Sequence, residues 1–170
     1  MARRRLTAAA YGAGAPSLAP ALLGTLLCRR LPAGILRLRI TETEAYYGEG
    51  DTACHASRGK TERTAVMYRP GGFAYIYLCY GIHWMLNVVS GPGDFPQAVL
   101  IRGVEGFDGP GKLTKALDIG KDLKGENLVT SKRLWIEDDG YRPRFRKTKR
   151  IGIGYAAEKD RNRLWRFVTG

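Results

Sequence analysis

Apolar and polar residues alternate along residues 36–46, and this period of two predicts a half-buried β-strand. The two leucines and Ile40 share one face of that strand, and the same parity carries Glu42, Glu44 and Tyr46 onto the apolar side. A carboxylate that points inward must be paired, hydrogen-bonded or shifted in pKa, because burial of an unpaired charge is costly. Glu42 and Glu44 are therefore the first candidates for chemistry.

Two β-prone runs, residues 74–80 and 82–90, follow each other closely and predict a β-hairpin with Tyr80 and Gly81 at or near its turn. Further predicted elements are a loop at 48–60, short helices at 21–27 and 112–117, and strands at 97–104, 150–154 and 164–168. The pattern as a whole predicts the α+β class. We expect a single mixed domain over residues 1–170 with a mainly antiparallel sheet, a protruding hairpin and a first segment, 1–16, that could be flexible.

The chain is strongly basic, with 28 Lys plus Arg against 16 Asp plus Glu among 170 residues, a net charge of +12 and a pI near 9.9. Such an excess favours a polyanionic partner, most often nucleic acid and less often anionic lipid; the alternative is a merely soluble basic protein. The densest basic run is open to two interpretations, a solvated charged loop or a phosphate contact, and consists of Arg142, Arg144, Arg146, Lys147, Lys149 and Arg150.

Cysteine and histidine usage argues against metal chemistry. The three cysteines are an odd count without a C-x-x-C pair, which indicates a reduced, intracellular protein rather than a disulfide scaffold. Only His55 and His83 are available, and their spacing from Cys54 and Cys79 does not match the usual zinc sites, so no metal and no cofactor are expected. Prolines interrupt the early Ala-rich run before it approaches bilayer length, so no membrane association is expected.

Glu42 and Glu44 are two positions apart on one strand, which separates them by roughly 6.5–7 Å along the chain. Paired carboxylates near that separation are often used to cleave glycosidic bonds; the alternative is that one or both hold a buried arginine. Tyr75 and Tyr77 share a strand face, which is usually core packing, but Tyr80 at a hairpin tip has little to pack against. In a basic protein, an aromatic wedge beside aromatic walls suggests base unstacking and a stacking pocket.

Two polar residues complete this constellation. Asn87 on the return strand adds an amide able to read a base edge, and Arg102 in the next strand adds a cation for phosphate or carboxylate. With them the chain resembles the alkyladenine (3-methyladenine) DNA glycosylase family, particularly its compact bacterial members. The matches occur in the right order over almost the whole chain, weakly at 21–24 and then at 42–46 (ETEAY), 75–81 (YIYLCYG), 86–87, 100–102, 111–113 and 150–154 (RIGIG).

The resemblance implies a role for each matching residue. Glu44 corresponds to the general base that activates water for attack on the deoxyribose C1′, and Arg102 to an arginine near that water and the phosphate. Tyr80 corresponds to the tyrosine that fills the gap left in the duplex by the flipped nucleotide. Glu42 stands in the same motif and is expected to be structural. The resemblance also implies that Tyr46, His55 and Tyr77 line the pocket for the flipped base. It implies that Asn87 lies on the floor of this pocket and disfavours normal guanine.

The resemblance also implies a β-hairpin inserted into DNA and a monofunctional glycosylase that starts base excision repair. Its expected substrates are 3-methyladenine and 7-methylguanine, with hypoxanthine and ethenoadenine as further candidates. The expected partner is damaged double-stranded DNA, bound by a monomer in the cytoplasm at the nucleoid. One departure stands at residues 61–64, where the family often has Thr-Pro-Arg-Asn and this chain has Thr-Glu-Arg-Thr. The DNA contacts of this loop, and the partner of His83, stay unassigned.

Three other classes of function compete with this interpretation. A non-catalytic nucleic-acid-binding module would use the basic surface and the aromatics as a stacking platform, but it would have no use for an inward carboxylate. An O-glycosidase would use Glu42 and Glu44 as an acid–base pair, but it would not need the +12 charge or the hairpin tyrosine. A zinc base deaminase is excluded because the H-x-E and P-C-x-x-C signatures are absent from the sequence.

Overall fold

The structure, a computed structural model, describes residues 2–170 and is built around a ten-stranded sheet in which the described pairings are antiparallel. The strands are β1 Arg4–Arg5, β2 Leu26–Leu31, β3 Gly34–Tyr47, β4 Ala74–Cys79, β5 His83–Val89, β6 Gln97–Val104, β7 Phe107–Asp108, β8 Leu134–Asp138, β9 Phe145–Thr148 and β10 Arg166–Thr169. The α-helices are α1 Ala15–Ala21, α2 Pro110–Ala116 and α3 Glu158–Arg161, and 3₁₀ helices cover Ala8–Gly12, His55–Arg58, Ala65–Tyr68 and Lys121–Leu123. The predicted α+β class with a mainly antiparallel sheet is confirmed.

The sheet has the strand order β1-β8-β2-β3-β6-β5-β4, with β10 paired to β3 and β9, and β7 paired to β6. Strand β3 connects the two parts of this sheet. Its first half pairs with β2, and its second half pairs with both β6 and β10. The second half of β3 is therefore held on both edges, which makes it a rigid support for side chains.

A β-bulge in β3 changes which side chains share a face. Register shifts against β6 occur on both sides of Glu42. Strict alternation would place Ile40 and Ala45 on opposite faces, yet both belong to the main core, so the bulge reverses the parity. Thr43 confirms the reversal, because its hydroxyl donates to the carbonyl of Ala19 in α1 (2.8 Å). The prediction that Glu44 shares a face with Ile40 is therefore wrong: Glu44 points away from the main core.

Two hydrophobic clusters lie on the two faces of strands β4 to β6. The main core packs α1 and α2 against one face and includes Ile76 and Val99. Their chain neighbours Tyr75 and Ala98 belong to a smaller cluster on the other face, where Tyr46, Tyr77 and Met67 also pack. The alternation along these strands separates a core that stabilises the fold from a second, aromatic layer that surrounds the candidate site.

Several predicted elements are confirmed. β4 and β5 form the predicted hairpin, with Tyr80 and Gly81 at φ of 51° and 67° and the Ile82 N–H donating to the Cys79 carbonyl (3.1 Å). Two consecutive left-handed residues are typical of tight hairpin turns, and glycine adopts this conformation without strain. Strand β6 has the predicted bounds, and α2 and β10 overlap the predicted elements at 112–117 and 164–168.

The helix predicted at 21–27 is wrong. Helix α1 ends at Ala21, Gly24 turns the chain at φ 86°, and β2 begins at Leu26 between β3 and β8. A central strand is buried on both faces and reads as a continuous apolar run, which periodicity cannot distinguish from a buried helix.

The strand predicted at 150–154 is also wrong. This segment forms a loop that Gly152 bends at φ 74°, and the N–H of Ile151 donates to a side-chain carboxylate instead of a neighbouring strand. Alternation of isoleucine and glycine imitates a strand, but it carries no information about where the backbone hydrogen bonds go. Over the described residues, helices with the length and hydropathy to cross a bilayer are lacking.

Candidate active site

A cavity of about 450 Å³ opens on the aromatic face of the sheet, beside the β4–β5 hairpin. This volume lies within the range of small-ligand pockets. The structure brings together at its wall the residues that the sequence singled out for base and DNA contacts, which are Tyr46, His55, Tyr77, Tyr80, Asn87 and Arg102. Glu44 is the exception, since it lies directly behind the wall and has no exposed surface.

Glu44 is fully enclosed by groups that stabilise its charge. The Tyr46 hydroxyl donates to Oε1 (2.9 Å), the Ile151 N–H donates to Oε2 (2.6 Å), and the Arg102 guanidinium lies 3.6 Å from Oε1. Burial raises the pKa of Glu44 above its usual value, and these three groups together with Arg150 oppose the rise. A carboxylate whose pKa is raised by burial and whose orientation is fixed is suited to act as a general base.

Glu42 has a different environment from Glu44, although both stand in the same strand. Its Oε1 accepts hydrogen bonds from Arg102 Nε (2.9 Å) and from Arg166 Nε on β10. Glu42 therefore holds two arginines, which is the structural arrangement expected for it, and its carboxylate is occupied by cations. Arg102 bridges the two glutamates, so that Glu42 fixes the position of the cation that faces Glu44.

The aromatic wall is organised around His55. Its ring packs edge-on against Tyr77, with ring centres 4.5 Å apart, and its Nδ1 is 2.8 Å from the Tyr75 hydroxyl. Burial, with a further contribution from the Arg63 charge, lowers the pKa of His55 to about 4. Burial also raises the pKa of Tyr75 to about 12. Near pH 7 the wall therefore consists of a neutral imidazole and neutral phenols.

Asn87 is anchored to the strand beside it. Its side-chain amide donates to the Tyr75 carbonyl (3.2 Å), and the residue is buried within the cavity wall. The contact with β4 restricts the rotation of the carboxamide, so that its remaining polar groups keep a constant place in the wall.

The hairpin tip carries exposed apolar side chains. Tyr80 is 92% exposed and Ile82 71% exposed, and both project from the turn next to the cavity mouth. The φ of 51° at Tyr80 follows from the tight turn, which places the side chain at the very tip of the hairpin. His83 follows on β5, exposed and packed over Gly111, where a Cβ would lie 2.8 Å from the imidazole.

Sequence reasoning missed the positions of two arginines at the site. The basic run predicts a solvated or phosphate-contacting Arg150; this is wrong, because the Arg150 side chain is 0% exposed and paired with Asp51. Arg63 from the divergent loop 61–64 lies in the cavity wall with its guanidinium 5.1 Å from the Tyr77 ring. The sequence carries no signal that Arg150 is buried, because burial of a charge depends on long-range contacts, whereas Arg63 is exposed at the cavity wall. Over residues 2–170, groups of three or more metal-ligating side chains are lacking.

Comparison with known proteins agrees with this geometry. The family model described as Methylpurine-DNA glycosylase (MPG) matches residues 9–108 and 105–170. Relatives that bear the name "Putative 3-methyladenine DNA glycosylase" include proteins of Psychrobacter cryohalolentis (46% identical, 81% of this chain and 79% of the relative covered) and Borreliella burgdorferi strain ZS7 (44%, 90% and 89%). A relative of the same name from Methanocella arvoryzae is 43% identical, with 86% and 82% covered. The chain therefore belongs to the methylpurine-DNA glycosylase family, a family of DNA-repair enzymes.

Proposed function

We propose that this protein is a monofunctional DNA glycosylase that binds a flipped, damaged purine in the aromatic cavity and hydrolyses its N-glycosidic bond with a water activated by Glu44. The observation that carries the proposal is the position of Glu44, a buried and immobilised carboxylate directly behind a cavity with aromatic walls. A carboxylate repels the phosphates of DNA, so its place at the centre of a basic protein needs a chemical reason.

Glu44 has the acceptor capacity that water activation needs. A carboxylate offers about four lone-pair sites, and the Tyr46 hydroxyl and the Ile151 N–H use two of them. The water must reach a carboxylate that is covered in the free protein. The proposal therefore requires a small side-chain rearrangement around the carboxylate when the nucleotide enters, of the kind that commonly accompanies binding. The negative charge of Glu44 then also stabilises the oxocarbenium-like character that develops on the sugar.

The cavity favours purines whose bond to the sugar is already weak. Alkylation at N3 or N7 gives the base a positive charge, which makes it a good leaving group and attracts it to aromatic faces such as those of Tyr46 and Tyr77. His55 has a pKa of about 4 and is neutral near pH 7, so it cannot protonate a leaving base as an imidazolium. The proposed substrates are therefore 3-methyladenine and 7-methylguanine, and the neutral bases hypoxanthine and ethenoadenine are expected to react more slowly.

The surface of the molecule supports duplex DNA as the partner. The net charge of +12 suits a polyanion, and the exposed Tyr80 at the mouth of the cavity is placed to fill the gap that a flipped nucleotide leaves. A single chain supplies all the site residues named above, so the proposed functional unit is a monomer. It would act on chromosomal DNA in the cytoplasm, at the nucleoid.

A panel of duplexes that each carry one lesion tests the proposal. We expect abasic sites from 3-methyladenine and 7-methylguanine duplexes, lower rates on hypoxanthine and ethenoadenine, and intact strands in every case. No lysine lines the cavity among the described residues, so borohydride present during turnover should trap no protein–DNA adduct. Absence of abasic sites on the whole panel would contradict the proposed activity, and a lysine adduct would contradict water as the nucleophile.

A further inference from the structure

We infer that Arg150 is a positioning residue for Glu44: its buried guanidinium, locked by Asp51, fixes the backbone at Ile151 so that the Ile151 N–H holds the carboxylate in one orientation. The inference rests on the proposed role of Glu44 as general base. It assigns a task in the reaction to a buried ion pair that does not line the cavity itself.

The Arg150–Asp51 clamp, meaning these two side chains, joins three separate parts of the chain. Arg150 donates to both carboxylate oxygens of Asp51 (2.6 and 3.0 Å), to the carbonyl of Ala45 in β3 (2.9 Å) and to the carbonyl of Asp160 in α3 (3.1 Å). Asp51 in turn accepts from the backbone N–H groups of Tyr47 and Ala53 (3.0 and 3.1 Å). A two-pronged guanidinium–carboxylate pair with this many additional hydrogen bonds has a single low-energy geometry.

Both hydrogen bonds to Glu44 depend on this clamp. The guanidinium carbon of Arg150 lies 5.0 Å from the Tyr46 ring, and the Tyr46 hydroxyl donates to Glu44 Oε1. The residue after Arg150 is Ile151, whose N–H donates to Glu44 Oε2. The side chain of Ile151 is exposed and Gly152 has a left-handed φ, so Ile151 itself is not held by packing; the next buried side chain of the loop is that of Ile153. Arg150 is therefore the anchor that keeps the Ile151 N–H directed at the carboxylate.

Stability of the fold alone does not explain why the buried Arg150–Asp51 pair is charged. Replacing a buried ion pair by apolar residues is often neutral or stabilising, so stability alone does not require a charge pair at this place. The backbone contacts of Arg150 converge on β3 next to Glu44 and on the loop that contacts it, which are the two segments that determine where the carboxylate points.

The clamp also affects the proton affinity of Glu44. The groups that face Glu44 are Arg102 on β6, the Tyr46 hydroxyl on β3 and the Ile151 N–H on the loop, while Arg166 on β10 is held by Glu42. Burial raises the pKa of Glu44, and Arg102, Ile151, Tyr46 and Arg150 lower it. Loss of the anchor removes part of the lowering, so the pKa of Glu44 rises further. A base with a higher pKa becomes protonated at a higher pH, and the acid limb of the pH–rate profile moves upward.

Single-turnover excision measured against pH on a 7-methylguanine duplex tests this role. Arg150→Lys keeps the charge and the bond to Asp51, but it cannot make the four contacts of the guanidinium at once. We expect the acid limb to move up by about one pH unit and the plateau rate to fall at least about tenfold, with duplex affinity unchanged. Arg146→Met removes an exposed cation from the same basic run and is the matched control, for which the acid limb should stay in place.

A second variant covers the case in which Arg150→Lys does not fold, as judged by near-UV circular dichroism. Replacement of Ile151 by its α-hydroxy analogue turns the amide into an ester, which removes only the N–H and leaves Arg150 intact. The same upward shift of the acid limb is expected. An unmoved limb and plateau in a folded variant would overturn the positioning role. Failure of the proposed function has a different signature, because the wild type would then lack an acid limb and Glu44→Gln would keep full activity.

Discussion

The hairpin tip and the Arg150–Asp51 clamp depart from the usual distribution of polarity in opposite directions. At the tip, the aromatic ring of Tyr80 and the aliphatic chain of Ile82 are directed into solvent. In the clamp, the side chains of Arg150 and Asp51 are 0% and 1% exposed. Exposed apolar surface forgoes the gain of burial, and buried charge carries a desolvation cost, so folding alone favours neither arrangement. Tyr80 lines the cavity, and the clamp lies behind it next to Tyr46 and Ile151, which line it.

The hairpin tip and the clamp differ in the range of the contacts that hold them, and this difference matches their two proposed roles, DNA binding for the tip and catalysis for the clamp. The tip depends on local contacts, namely a two-stranded hairpin and a turn with two left-handed residues. It leaves its apolar groups free for a partner. The clamp depends on contacts between residues about a hundred positions apart, and its terminal guanidinium nitrogens and both carboxylate oxygens are hydrogen-bonded within the protein. This contrast agrees with the two proposed roles, because a hairpin that is to enter DNA has to project, whereas a group that is to position a general base has to be immobile.

The largest expected effect is that of Glu44→Gln, which removes the charge that the clamp and its neighbours surround. Glutamine has the same shape and still accepts from the Ile151 N–H, so binding of a lesion duplex should stay nearly intact. Excision should fall by at least about 10²-fold, the lower end of general-base contributions. Single-turnover rates and fluorescence anisotropy with the same duplex measure the two quantities separately.

Glu42→Gln is the matched control for this prediction, because it changes a second carboxylate of the same strand. Glu42 holds Arg102 and Arg166, so its substitution should lower excision less than Glu44→Gln does. An equal loss of excision in both folded variants would contradict the one-base mechanism and favour a pair of carboxylates acting together.

Tyr80→Ala should have the next largest effect, on the binding side of the comparison. The gap in the duplex would stay empty, and stacking of one aromatic ring is worth about 1–3 kcal/mol. Affinity for duplexes with a lesion or an abasic product should fall accordingly, and affinity for a lesion in single-stranded DNA should fall less. Tyr141→Ala removes another exposed tyrosine, from outside the cavity wall, and should leave duplex affinity unaltered. Unchanged duplex binding and excision for Tyr80→Ala would contradict a role of Tyr80 in filling the gap in the duplex.

Asn87→Ser should have the smallest effect, because it changes the discrimination between purine bases rather than the rate of excision. Guanine carries a 2-amino group that hypoxanthine lacks, and a side chain anchored on the Tyr75 carbonyl leaves this group a clash or an unpaired donor. The penalty is about 1–3 kcal/mol. We expect the shorter side chain to raise the rate on mispaired guanine relative to hypoxanthine, measured under single-turnover conditions for both. A constant ratio in an active variant would place purine selection at His55 or the backbone.

Much of the site could be predicted from the sequence because its parts are local. Alternation along 74–90 and a turn with glycine produced the hairpin, and Asn87 follows on the return strand at a fixed register. The wrong predictions have one physical origin, which is that pattern alone does not show which partner a backbone segment finds. Leu26 and Leu27 became part of a central strand because β3 and β8 pair with it on both edges. Residues 150–154 became a loop because a carboxylate, and not a strand, accepts from Ile151.

The sequence by itself determined the fold class and the hairpin with Tyr80 at its turn, since these depend on residue type and on short spacings. Spacing singled out Glu42 and Glu44 together, and only the resemblance to a known family distinguished Glu44 from Glu42. Only the tertiary structure decided that Glu44 faces the aromatic layer and that Arg150 lies buried behind it. A bulge in β3 reverses the parity that alternation predicts, and a bulge appears only when the strand is aligned with its partner β6. The burial of Arg150 likewise follows from Asp51, which lies 99 positions away in the chain, and a charge has no local signal that distinguishes a buried partner from solvent.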